Sequence, residues 1–98
     1  MEKLTKDTCT PHIDTPFHIL HEGNSVLELT LIAVEGPGIQ GQTEQFSLLF
    51  RGPLETPFEQ GTQEVRHDAL GTFYLFLVPI GREADGMRYE SAFNNIVD

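Results

Sequence analysis

The chain has 98 residues, and its 15 acidic against 6 basic side chains give a formal net charge of −9. This length suits one small domain, so residues 1–98 are expected to form a single unit. The acidity argues against nucleic acid and against an anionic membrane surface as partners, because both are bound through clustered Lys and Arg.

A single cysteine, Cys9, excludes an intramolecular disulfide and a cysteine-based zinc site. The first residues lack the apolar core of a signal peptide, and no apolar run approaches the length of a membrane-spanning helix. A cytoplasmic location is therefore expected.

The N-terminal part predicts a short helical turn followed by a first strand. Thr5 can cap such a turn, and Pro11 ends it. We expect this turn to cover one end of a barrel. Residues 16–20 are typical of a strand, and residues 22–25 of a turn.

The longest alternating pattern covers residues 26–35, and its inward set ends at Ala33. Residues 36–42 are rich in Gly and predict a loop. Residues 45–51 alternate again and predict a strand. Residues 52–60, with two prolines, predict an irregular connection.

The C-terminal part predicts three further strands. Residues 61–67 are mostly polar, which favours a strand at a sheet edge. Residues 73–78 form an uncharged apolar run that indicates a central strand, and Pro79 marks its end or a bulge. Residues 81–86 predict a polar hairpin loop, and residues 87–94 predict the last strand.

These patterns predict an all-β fold: a small antiparallel β-barrel or sandwich of about six strands with a short N-terminal helical turn. The predicted core contains one face of three strands: Leu27, Leu29, Leu31, Phe46, Leu48, Phe50, Phe73, Leu75 and Leu77.

The second face of the central strand is also apolar, with Tyr74, Phe76 and Val78, and needs a cover. An internal cover, by the N-terminal turn or by closure of a barrel, is favoured over a second copy of the chain because it costs no association entropy. Burial of Tyr74 and Phe76 within one chain is therefore expected.

Two groups of histidines could carry chemistry. His18 and His21, with His12, could form a metal-binding module, but positions three apart fall on opposite faces of a strand. His67 beside Asp68 could act as a base if the fold brings a serine close, as in a small hydrolase-like enzyme. Neither pattern has the spacing of a recognised site, so no metal, no other cofactor and no catalytic residue is predicted.

Arg51 and Glu90 are charges at the polar positions of otherwise apolar strands. We expect them to lie close on neighbouring strands as a cross-strand ion pair. A binding role for Arg51 is the alternative.

Several motifs together resemble an uncharacterised family of small bacterial domains. They are FSLLFRGP at 46–53, HDALG at 67–71, FLVPIG at 76–81, YESAFN at 89–94 and Thr15-Pro16-Phe17. Members of this family tend to be encoded near phage-tail-collar-like proteins, which implies a link to tail-like assemblies. The family has no established activity, so the resemblance implies no catalytic residues. The chain departs from the family pattern at Cys9, where an aromatic is expected, and at Asp14, where Gly is expected.

The sequence thus favours a non-catalytic binding or structural accessory protein over an enzyme. The residues predicted to bind are Arg51, Glu90, Tyr74 and Phe76. The expected partner is another protein or a second copy of the chain.

Overall fold

The computed structural model describes residues 4–97 and confirms the all-β prediction. It contains a four-residue helix, a 3-10 turn and six strands. They are α1 (Lys6–Cys9), the 3-10 turn (Thr10–His12), β1 (Pro16–His21), β2 (Asn24–Gln40), β3 (Thr43–Gly52), β4 (Gly61–His67), β5 (Gly71–Glu83) and β6 (Gly86–Ile96).

The strands form one antiparallel sheet that closes into a barrel in the order β1-β2-β3-β6-β5-β4. Closure depends on a short ladder between β1 and β4, in which Ile19 lies opposite Val65. The prediction of an edge strand at residues 61–67 is therefore wrong, because β4 pairs with β1 on one side and with β5 on the other. Thr62, Glu64 and Arg66 lie on its outward face, while Val65 and His67 are buried.

The predicted core side chains fill the barrel interior. Eight of the nine are buried, and Leu27 is partly buried and packs against them. Phe17 and Tyr89 join them as the largest fully buried side chains. Burial of this apolar surface supplies most of the stabilisation, at about 25 cal/mol per Å² removed from water.

A β-bulge near Ile32 shifts the alternation of β2. Leu31 lies opposite Phe50, but Ala33 lies opposite Leu49, so the inward phase passes to Val34, which packs against the core. The prediction that Ala33 faces the core is therefore wrong. A bulge inserts one extra residue, and a shift of one residue exchanges the two faces of a strand.

The predicted loop at residues 36–42 is also wrong, because β2 continues to Gln40 and only Gly41 and Gln42 form the turn. A second bulge between Glu35 and Gly38 lets the glycine-rich segment stay in the ladder. Gly36 has φ +117°, and a Cβ there would lie 2.8 Å from Cα of Phe46. Glycine here permits a close approach of two strands rather than a loop.

The N-terminal segment covers one end of the barrel, which we call the lid end. The predicted cap is present: the Thr5 hydroxyl accepts a hydrogen bond from the Thr8 amide, and the Thr8 hydroxyl accepts one from the Thr5 amide. Leu4 and Cys9 are buried in the core. The Asp14 amide donates to the Leu31 carbonyl, which ties the segment to β2.

Residues 53–60 cover the opposite end, which we call the loop end. Phe58 stacks on Tyr89 with ring centroids 4.1 Å apart and planes 4° from parallel. The Phe58 amide also donates a hydrogen bond to the Tyr89 hydroxyl. The short turn at Ala84–Asp85, between β5 and β6, lies at this end and replaces the longer loop predicted at 81–86. The predicted bulge at Pro79 is present.

Candidate functional site

The outer face of β5 carries two exposed aromatic side chains. Tyr74 is 67% exposed and Phe76 is 51% exposed, whereas their neighbours Phe73, Leu75 and Leu77 are buried. The predicted internal cover is therefore wrong for these two residues. The barrel does close, but closure turns alternate side chains of β5 outwards, and the N-terminal helix covers the lid end instead of this face.

Carboxylates border this aromatic pair. Glu64 lies opposite Tyr74 on β4, and Thr62 lies opposite Phe76. On the other side, Glu90 of β6 lies opposite the half-buried Val78. The surface formed by Tyr74, Phe76 and Val78, which we call the β5 patch, is thus apolar in its centre. Its rim carries the carboxylates Glu64 and Glu90, with Arg66 beyond Glu64, opposite Thr72.

Arg51 lies at the loop end, diagonal to Glu90 rather than directly opposite it. The β3–β6 register places Arg51 opposite Arg88, and Glu90 opposite Leu49. Among the residues that the structure describes, the carboxylate that pairs with Arg51 is Asp85, at 3.9 Å. The two strands are neighbours as predicted, but the predicted ion pair is not formed, because the β5–β6 turn brings Asp85 to this corner.

Asp85 bridges the two arginines that the sheet places side by side. It lies 2.8 Å from Arg88, whose hydrogen bond lowers the pKa of the Asp85 carboxyl below its usual value. All three side chains are partly or largely exposed, so these ion pairs contribute little to stability. Their effect is to offset the repulsion between two like charges placed opposite each other.

Arg51 and Glu90 line separate hollows on the surface. Glu90 contributes to a groove of about 370 Å³ between β2, β3 and β6, together with Ser47 and Asn94. Arg51 contributes to a hollow of about 210 Å³ that also includes Asp85. The structure therefore brings Glu90 to the rim of the β5 patch and leaves Arg51 outside it.

His67 is buried, and both of its ring nitrogens are hydrogen-bonded. Nδ1 accepts from the backbone amides of Ala69 and Leu70, at 3.0 and 3.2 Å. Nε2 lies 2.9 Å from the hydroxyl of Thr15, which donates its own hydrogen to the carbonyl of His12. This set of partners assigns a neutral ring with its proton on Nε2. Burial, and then the nearby His12, lower the pKa of His67 below its usual value.

This arrangement leaves His67 no free lone pair with which to act as a base. Its hydroxyl partner is Thr15, not a serine. Asp68 is exposed in the β4–β5 turn. The geometry therefore indicates a structural role, in which His67 joins that turn to the lid end. Sequence reasoning named Thr15 only as part of a family motif and missed its contact with His67, since no local pattern signals that residues 52 positions apart would meet.

The remaining histidines do not converge. His18 is hydrogen-bonded to Ser25 through Nδ1 at 3.3 Å, His21 is exposed, and the ring of His12 contacts that of His67. Within residues 4–97, no three or more His, Cys, Asp or Glu side chains are grouped closely enough to hold a metal ion.

Comparison with known proteins identifies a family. The model of a family described as a domain of unknown function (DUF6916) matches residues 4–93. No curated protein and no solved structure matches significantly. Over the described part of the chain, no helix has the length and apolar character needed to cross a membrane.

Proposed function

The chain belongs to this family of domains of unknown function, and we propose that it acts as a non-catalytic protein-binding module that uses the β5 patch. The patch is the feature that carries this proposal. Tyr74 and Phe76 are large, mostly exposed and adjacent on one strand. Grouped exposed apolar side chains with a polar rim are typical of protein interaction sites.

The barrel interior supports binding at the surface rather than inside. Fully buried side chains, among them Phe17, Phe50 and Tyr89, occupy it. Small barrels of this kind are filled by their own side chains, whereas larger ones enclose ligands. The hydrolase alternative gains no support, because His67 has both nitrogens engaged in structural hydrogen bonds.

Charge complementarity favours a foreign partner over a second copy. The chain carries a net charge of −9, and Glu64 and Glu90 border the patch. Two copies joined through this surface would bring like charges together, which opposes association. A partner with an apolar centre and a basic rim meets no such repulsion.

We further propose that the partner belongs to a phage-tail-like assembly of a bacterium and that binding takes place in the cytoplasm. The support for this part is the resemblance to domains encoded near phage-tail-collar-like proteins, which is an association and not a contact. This part of the proposal is independent of the proposal that the β5 patch binds a protein.

Capture of partners from the native host tests the surface. The wild-type chain is expected to retain a protein that Phe76→Asp does not retain. Val26→Asp is the matched control, because Val26 is 59% exposed on β2, which does not neighbour β5. Circular dichroism verifies that both variants fold. If Phe76→Asp retains the same proteins as the control, the proposal fails.

Sedimentation of the wild type and of Phe76→Asp examines the alternative of a second copy. We expect both proteins to be monomeric. A wild-type dimer that Phe76→Asp converts to a monomer would replace the foreign partner by a symmetric copy of the chain.

A further inference from the structure

The ladder between β5 and β6 covers only part of each strand. It runs from the turn at the loop end to Val78, which lies opposite Glu90, and no described residue continues it. Residues 71–77 pair with β4 alone, and residues 91–95 pair with β3 alone. The barrel wall therefore contains two unpaired edges on adjacent strands, which we call the open seam.

The edges of the open seam lack the usual protection against pairing with another chain. Soluble proteins normally use Lys, Pro or a β-bulge to protect an exposed strand edge against pairing. Residues 71–77 and 91–95 contain no charge and no proline. Residues 71–77 pair with β4, and residues 91–95 pair with β3, without any β-bulge. The bulge of β5 lies at Pro79, in the half of the strand that pairs with β6. The seam thus keeps the regular geometry that an added strand requires.

The exposed aromatic side chains lie on the unpaired half of β5. Tyr74 and Phe76 point outwards beside the free backbone edge. Apolar side chains of an added strand would contact them as cross-strand neighbours, and such pairs stabilise a sheet. Glu90 lies where the unpaired half of β5 ends, and Glu64 lies on the far side of β5, so a basic added strand meets a carboxylate at one end and a second one across β5.

On the basis of the proposed function, we propose that the open seam is a strand-addition site for an extended, basic segment of a partner protein. The backbone of that segment pairs with the free edge of residues 71–77. Its outward-facing side chains include apolar ones that contact Tyr74 and Phe76 and a basic one near Glu90, and its inward-facing side chains are apolar. Main-chain hydrogen bonds supply affinity in this mode of recognition, and alternate side chains supply specificity.

Hydrogen exchange of the free chain tests the seam itself. In a strand paired on one side only, alternate amides have no hydrogen-bond partner. We expect every second amide of residues 72–77 to exchange fast. Residues 47–51 serve as the control, because β3 pairs with both β2 and β6 there and should be protected throughout. Uniform protection of residues 72–77 would overturn the proposal.

A synthetic peptide of about six residues, the length of a typical strand, tests the occupant. The sequence Val-Lys-Val-Val-Val-Lys places both Lys and Val on the outward face and only Val on the face toward the barrel interior. This Val/Lys peptide should bind and abolish the fast exchange at residues 72–77. The same peptide with Glu in place of Lys should not bind, and neither should one with methylated backbone nitrogens. Binding of all three peptides, or of none, would overturn the proposal.

Two exposed positions on β5 separate strand addition from general apolar attraction. Phe76 and Ile80 are each 51% exposed, but Ile80 lies at the bulge in the half already paired with β6. We expect Phe76→Thr to weaken binding of the Val/Lys peptide at least about fivefold and Ile80→Thr to change it less than about twofold. Equal effects of the two substitutions would contradict strand addition.

Failure of this inference differs from failure of the proposed function. If Phe76→Asp loses the native partner while the Val/Lys peptide leaves exchange at residues 72–77 unchanged, the surface binds but not by strand addition. If the fast exchange disappears as the concentration of the free chain rises, a second copy of the chain pairs with the open seam. That result would overturn the proposal that a basic segment of a partner protein binds there.

Discussion

The two ends of the barrel are closed by different kinds of interaction. At the lid end, the buried ring of His67 connects backbone amides of the β4–β5 turn to Thr15. At the loop end, the ring of Phe58 stacks on the buried ring of Tyr89. The stability of the lid end therefore depends on the protonation state of an imidazole. The stability of the loop end depends on the contact area between stacked rings and on how closely the backbones of its strands approach each other.

The largest effect is expected at the loop end from Gly86→Ala. Gly86 has φ +150°, and a Cβ there would lie 2.5 Å from the carbonyl oxygen of Gly52. Because the backbone fixes the position of the Cβ and the oxygen is itself a backbone atom, the clash cannot be relieved by a side-chain rotation. We expect a loss of about 2–5 kcal/mol in the free energy of unfolding, measured by urea denaturation.

Gly81→Ala is the control for this prediction. Gly81 lies on the neighbouring strand of the same hairpin, and a Cβ there would meet no atom within 4 Å. It should change the free energy of unfolding by less than about 0.5–1 kcal/mol. Similar losses for the two variants would mean that the close approach of β6 to Gly52 does not determine the stability of the loop end.

Removing the ring of Phe58 should have the next largest effect. Phe58→Ala deletes the stack on Tyr89 and uncovers the loop end. Because Phe58 is only half-buried, the expected loss is about 2 kcal/mol, below the 3–5 kcal/mol typical of a fully buried phenylalanine. Urea denaturation measures it. Phe76→Ala, at an exposed position, should cost less than about 0.5 kcal/mol. A cost at Phe58 no larger than that at Phe76 would show that the stack does not close the barrel.

The lid end should respond to pH. The folded state lowers the pKa of His67, through burial and the nearby His12, below its usual value of 6.5. Since the unfolded chain then binds the proton more readily, the stabilisation is fully present above pH 6.5 and is lost as the pH falls through the lowered value. We expect the urea midpoint to drop on acidification from about pH 8 to about pH 5.

Substitution of His67 distinguishes this source from other titrations. His67→Gln should lower stability near neutral pH and flatten its dependence on pH in this window. His21→Gln, at an exposed position on the β1–β2 hairpin, should leave the dependence unchanged. If His67→Gln keeps the wild-type slope, another group is responsible for the response of the lid end.

The smallest effects are expected at two strained backbone positions, one at each end. Within the described residues, Asp14 at φ +72° and Glu22 at φ +53° are the non-glycine residues with positive φ. Glycine adopts this conformation without a steric penalty, so Asp14→Gly and Glu22→Gly should each stabilise the chain by up to about 1 kcal/mol. Thermal denaturation measures both. A gain larger for Asp14 than for Glu22 would be unexpected, because Asp tolerates this region better.

Much of the fold follows from local patterns in the chain. Alternation in residues 26–31, 45–51 and 73–78 correctly predicted which side chains fill the core. Thr5 correctly predicted the helix cap, and Pro79 the bulge. The expectation of Gly at position 14 agrees with the positive φ of Asp14. These features depend on neighbours in sequence, so the sequence is sufficient to find them.

The incorrect predictions and the candidate site both depend on the register between strands that are distant in sequence. Bulges in β2 moved the inward phase from Ala33 to Val34, and the β3–β6 register placed Arg51 opposite Arg88 instead of opposite Glu90. The meeting of His67 with Thr15 and the end of the β5–β6 ladder at Val78 likewise have no local signal. Alternation within one strand determines which side chains share a face. Only the tertiary structure decides which strand, and which residue of it, lies opposite, because register and closure minimise the free energy of the whole sheet.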